Sequence, residues 1–164
     1  MSSNALKPEF PPLLAPGFHP LTLAELRAIC VDAYPDSTPR KRIMEKLEEV
    51  IHKVALEGVV GEIWIDGSFV TTKIDPSDVD YLLCVSSDIY DREPAKRLVI
   101  DWASHVDLKK SHRCDAYKWI QYERGHPLFA NSIDERNEWI GWFGVSRRHV
   151  RKGIAVISLP AGVQ

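Results

Sequence analysis

A chain of 164 residues is long enough to bury one hydrophobic core and short for two complete domains. Apolar residues make up 45% and charged residues 27%, an ordinary globular composition that excludes a disordered or low-complexity chain. The formal net charge of −2 leaves no global basic footprint for nucleic acid, so any such contact must come from a local patch.

Three cysteines, Cys30, Cys84 and Cys114, form no CxxC. An odd, widely spaced set argues against a disulfide framework and suits a reducing compartment. Cys84 and Cys114 fall in expected strands and read as small core residues. No apolar run approaches the roughly 18 residues of a membrane span. Met1 to Lys7 has no signal-peptide apolar core. The expectation is a cytoplasmic protein with no membrane partner.

Residues 1–21 read as a proline-rich arm, since Pro8, Pro11, Pro12, Pro16 and Pro20 preclude a regular helix. The arm lies along the domain or moves in part. His19, between Phe18 and Pro20, reads as a packing contact. Residues 22–164 read as a single domain. Thr22 caps a short helix to Val31, with Glu25 completing a capping box. Pro39 to Glu57 has the strongest helical period, with Ile43, Leu47, Val50, Ile51 and Val54 on one stripe. Ser37 or Thr38 caps it and Gly58 ends it. Arg40, Lys41 and Arg42 oppose the dipole at its start and read as a solvated face or, less simply, as a partner contact.

Val59 to Ile65 reads as a strand. Val79 to Val85 is a second, apolar enough to be buried on both faces. Residues 68–73 allow one helical turn between them. Arg92 to Lys110 reads as one helix with Leu98, Ile100, Trp102 and Val106 inward. Arg113 to Gln121 reads as a strand, with Cys114, Ala116 and Lys118 on one face and Asp115, Tyr117 and Trp119 on the other. Gly125 to Asn131 is loop, Ser132 caps a helix to about Phe143, and Gly153 to Leu159 is the last strand. The fold class is α/β (α+β): a small mixed sheet flanked by helices.

The candidate chemistry sits between Trp64 and Val85. Asp78 and Asp80 alternate along a strand, so both project to one face with Cα atoms roughly 6.6 Å apart. Two carboxylates so close require a cation or a proton between them. Mg2+, a hard oxygen-liganded ion, is the natural occupant. Gly67 permits close backbone approach to a ligand, and Ser68 offers a hydroxyl and an N–H. A helix starting there would favour an anion. No G-x-S-x-G surrounds Ser68, which discounts a hydrolase nucleophile. His105, His112, His126 and His149 show no metal-ligand spacing.

Gly67-Ser68, nine residues, then Asp78-Val79-Asp80 resembles the signature of the polymerase-β-like nucleotidyltransferase superfamily. More narrowly, the chain is similar to small bacterial proteins of uncharacterised function with a nucleotidyltransferase-like core. Those carry a His-Pro leader, here Leu13 to Pro20, and a Trp-x-Asp-Gly-Ser-Phe-Val-Thr block, here Trp64 to Thr71. The resemblance implies a third carboxylate on the neighbouring strand, for which Asp115 is the candidate. The alternative for Asp115 is a paired aspartate near a sheet edge. It also implies two Mg2+ ions, or Mn2+, held by Asp78, Asp80 and Asp115, with the phosphates of an NTP at Gly67 and Ser68. Arg147, Arg148 and Lys152 match an Arg … Lys-Gly ending in the similar group. Arg147 and Lys152, and Lys73 in the motif loop, steady phosphate or are simply solvated.

The implied function is metal-dependent transfer of NMP from an NTP to a hydroxyl on protein, RNA or a small molecule. Little length remains for a helical domain gripping base and acceptor, so a protein partner or a homodimer would complete the site. The alternative is a non-catalytic or regulatory nucleotidyltransferase-fold partner in a toxin–antitoxin or phage-defence pair. A nucleic-acid-binding domain is weakened by the acidic balance.

Overall fold

The computed structural model describes residues 7–160, so the first six residues of the expected arm lie outside the described residues. A five-stranded mixed sheet has the spatial order β1-β5-β2-β3-β4. The strands are β1 (Gly17–Pro20), β2 (Gly61–Asp66), β3 (Val79–Ser86), β4 (Cys114–Gln121) and β5 (Gly153–Leu159). The helices are α1 (Leu23–Arg27), α2 (Pro39–Leu56), α3 (Ser87–Arg92), α4 (Pro94–Ala103), α5 (Leu108–His112) and α6 (Phe129–Phe143). The α/β fold class read from the sequence is the one observed.

Strand alternation divides the core into two clusters. Ile63, Ile65, Tyr81, Leu83, Val85 and Ile157 point to one face, where α2 covers them with Ile43, Leu47, Val50, Ile51 and Val54. Trp64, Leu82, Cys84, Trp119 and Val156 point to the other face and meet Phe143 of α6. The second cluster is smaller, and it is the face that carries the acidic residues.

The arm joins the sheet. Gly17–Pro20 pairs parallel with β5, and Leu13 N–H donates to Val70 O at 2.9 Å. Gly153 lets this happen, because a Cβ there would meet Leu14 Cβ at 2.6 Å. His19 Nε2 lies 2.6 Å from Ala15 O, a local contact within the arm. Thr22 and Glu25 form the expected capping box.

Several elements differ from the sequence reading. The expected helix 92–110 is divided between α4 and α5, and Arg92 is the last residue of α3. Pro94 lacks an N–H and begins α4 afresh after Glu93. Ser104 Oγ then donates to Ile100 O at 2.8 Å, and α4 stops. Its buried residues are Val99, Ile100 and Ala103, while Leu98 is 73% and Val106 74% exposed. Ser132 is buried inside α6 rather than capping it, and its hydroxyl accepts Tyr122 N–H at 3.1 Å.

Arg40 departs most from expectation. It is not a solvated charge at the start of α2 but is fully buried. Its guanidinium donates to Cys30 O at 2.8 Å, Phe69 O at 2.7 Å and Thr71 O at 2.6 Å, and also to Lys73 O and Ile74 O. It stacks over the Tyr34 ring at 4.1 Å. One side chain thus supplies donors to a loop, 69–74, that has no ladder of its own. Arg40→Met leaves those buried carbonyls without donors and is expected to lower unfolding free energy by about 3–5 kcal/mol. Urea denaturation measures this; a loss below about 1 kcal/mol would contradict the clamp.

Candidate functional site

The pairing register builds an acidic row. Asp66 on β2 stands opposite Asp80 on β3, and Asp80 stands opposite Asp115 on β4. Residues directly opposite on neighbouring strands hold their Cβ atoms about 5 Å apart on the same face. The three carboxylates therefore form a line across the sheet. Asp78, two residues before Asp80, adds a fourth beside Asp115. Lys109 Nζ joins these two, at 2.8 Å from Asp115 Oδ2 and 3.6 Å from Asp78 Oδ2.

Local backbone puts Lys109 there. Arg113 adopts φ 54°, ending α5 and turning the chain into β4, so Lys109 sits directly over the strand's first residues. At the other end of the row, Lys152, just before β5, reaches Asp66 Oδ1 at 2.7 Å. That approach is an ion contact outside hydrogen-bond geometry, and Asp66 Oδ1 remains buried without a hydrogen bond. Asp66 is only 6% exposed.

Gly67 follows with φ 85°, a left-handed conformation, and its bare side faces the Asp80 carboxylate. A Cβ at Gly67 would overlap that carboxylate. The glycine turn and the acidic row therefore touch. Ser68 opens a three-residue 3-10 turn, Ser68–Val70, which is too short to act as a helix dipole. Thr71 Oγ1 donates to Ser68 O at 2.7 Å and closes the turn.

A cleft of about 150 Å³ opens on the row. Gly67, Asp80, Arg147 and Lys152 line it, so the cleft gathers four of the residues singled out from the sequence. Lys73 stands apart: its ammonium lies 5.9 Å from the Phe10 ring centroid, and its carbonyl is held by Arg40. Asp66, Lys109, Tyr117 and Trp142 were not singled out. Asp66 was within reach, being two residues from Trp64 and thus on its face, in a strand that runs one residue past Ile65. Lys109 carried no local signal.

Crowding sets the electrostatics. Burial pushes the Asp80 carboxyl up from 3.8 to about 7, and the charges of Asp78, Asp66 and Asp115 add to the rise. Asp66 is also raised by burial, against the pull of Lys152 and the Gly67 N–H. Lys109 is held more firmly protonated by its hydrogen bond to Asp115. The donor set suits a hard divalent cation: all-oxygen, anionic, partly buried and short of hydrogen bonds. Among the described residues no three His, Cys, Asp or Glu side chains are already disposed around an ion position. The lysines at Asp115 and Asp66 hold the outer carboxylates instead.

A family model matches residues 8–158, and its description is a family of unknown function, DUF6932. The chain belongs to this family. No curated protein and no solved structure matches it. The DUF6932 span takes in the arm from Pro8, the whole acidic row and the basic loop before β5. No helix among the described residues is long and apolar enough to cross a membrane.

The raised Asp80 carboxyl has a consequence for stability. At pH below its ordinary value of 3.8 it is protonated in both the folded and unfolded chain. As pH rises the unfolded chain loses the proton first, while the folded chain keeps it until about pH 7. The contribution of Asp80 to stability therefore falls across that window and stays low above it. Asp80→Asn is expected to stabilise the metal-free protein by about 1–3 kcal/mol at pH 8 and to have little effect at pH 4. Urea denaturation in EDTA at both pH values measures it; an equal effect at both would contradict the assignment.

Proposed function

We propose that the protein is a metal-dependent nucleotidyltransferase that moves NMP from an NTP to a hydroxyl on protein, RNA or a small molecule. The observation that carries this reading is the cross-strand acidic row touching the Gly67 turn. Asp78, Asp80 and Asp115 would hold Mg2+ or Mn2+, with Asp66 as a further oxygen donor. Divalent ions so held neutralise a triphosphate and lower the pKa of an acceptor hydroxyl.

The chain's own residues account for the rest. Gly67 gives the phosphates close access to the backbone beside Asp80. Arg147 and Lys152, which line the same cleft, supply positive charge for the departing pyrophosphate. The acceptor oxygen bonds to the α-phosphorus, the bridging bond to the β-phosphate breaks, and the acceptor's proton passes to Asp115. Lys109 must first release Asp115 and Asp78, which its flexible four-carbon stem permits. Until then its ammonium offsets one of the pair's two negative charges.

That same lysine favours a second reading. An acidic site that carries its own counter-ion is stable without metal. Such a fold would serve as the non-catalytic or regulatory partner in a toxin–antitoxin or phage-defence pair.

Incubation with each α-labelled NTP, Mg2+ and cell extract tests the first reading. Wild-type protein is expected to label an acceptor, and the Asp78→Ala, Asp80→Ala double variant to fall to background. Unchanged labelling by that variant would sink the metal assignment. Absence of labelling, with capture of a protein partner that survives the double substitution, would favour the second reading.

A further inference from the structure

Trp142 is 57% exposed, a large area of bare indole. It does not hang free. Trp139, one turn earlier on α6, stacks on it with ring centroids 5.2 Å apart and planes within 7°. Tyr117 meets it at 5.0 Å and 58°. Tyr117 also touches Trp139, at 5.5 Å, so the three rings brace one another.

Their position gives the cluster meaning. Tyr117 lies two residues beyond Asp115 on β4 and so shares its face of the sheet. Tyr117 and Trp142 form the aromatic side of the same cleft whose other walls are Asp80, Gly67, Arg147 and Lys152. A space of about 150 Å³ admits a single ring system. The cleft thus joins a rigid aromatic wall to a basic and an acidic wall. That combination matches a ligand with one planar ring and an anionic tail.

Resting on the nucleotidyltransferase reading above, we infer that Trp142, braced by Trp139 and Tyr117, is the stacking wall for the base of the bound nucleotide. The phosphates then lie toward Arg147 and Lys152. Stacking uses the face common to all bases, so the site takes each of the four NTPs. A wall already immobilised loses little side-chain freedom on binding, which favours affinity.

Calorimetric titration with ATP, GTP, CTP, UTP and inorganic tripolyphosphate in Mg2+ separates the base site from the phosphate site. Wild-type protein is expected to bind each NTP about five- to a hundredfold more tightly than tripolyphosphate. Trp142→Ala removes that advantage and leaves tripolyphosphate binding unchanged, whereas Trp142→Phe retains most of it. Equal affinity of wild-type protein for NTPs and tripolyphosphate overturns the base site and leaves the phosphate site standing. So does unaltered NTP binding by Trp142→Ala. Parallel weakening of both ligand types in Trp142→Ala assigns the indole a packing role and overturns the inference. Failure of wild-type protein to bind either ligand removes the parent reading with it.

Discussion

Repulsion among carboxylates held in register is the constraint around which this protein is arranged. Asp66, Asp80 and Asp115 occupy opposite positions on three adjoining strands, and like charges so placed work against the sheet. Three features offset that cost. Lys109 and Lys152 hold the two ends of the row. Asp80, in the middle, has a carboxyl pushed up to about 7. Gly67 turns its bare side toward Asp80, so the backbone fits against a carboxylate that a Cβ would displace. A sheet whose sole task was stability would place apolar residues at these three positions.

The turn must also hold its shape, and Arg40 meets that need. The loop 69–74 connects the glycine turn to the strand bearing Asp80, with few backbone partners of its own. A buried guanidinium satisfies its carbonyls from α2, on the far side of the core from the cleft. The acidic row lies on the less covered face and the bracing on the well-packed one. The site stays open to solvent while the loop behind it is held by the largest helix. Aromatic residues of α6 then bound the open side.

Period-two alternation makes much of this legible in the sequence. It puts Asp115 with Tyr117 and Trp119, a face that β4 keeps, whereas Asp78 lies one residue before β3 and meets Asp115 through Lys109. The long period of α2 and the capping box at Thr22 were equally plain. What escaped depended on register and tertiary contact. Asp66 gains its meaning only when β2 and β3 pair antiparallel with Asp80 opposite it. Lys109 reaches Asp115 because of a left-handed turn at Arg113 that composition does not announce. Arg40 looked like a surface charge because three basic residues in a row usually are, and only its carbonyl partners, one of them ten residues earlier and the rest about thirty later, reverse that reading. Pro94 was visible in the sequence, yet the apolar residues from Leu98 to Val106 pointed to a single helix. Ser132 offered a good cap and is spent instead on Tyr122.

The most direct test is a crystal structure of the protein soaked with Mn2+ and a non-hydrolysable NTP, with anomalous data collected at the manganese edge. The expected result is an anomalous peak bounded by Asp78, Asp80 and Asp115, with Lys109 displaced from between them. Nucleotide bound with no such peak, and Lys109 still bridging Asp115 and Asp78, would contradict the proposed metal centre.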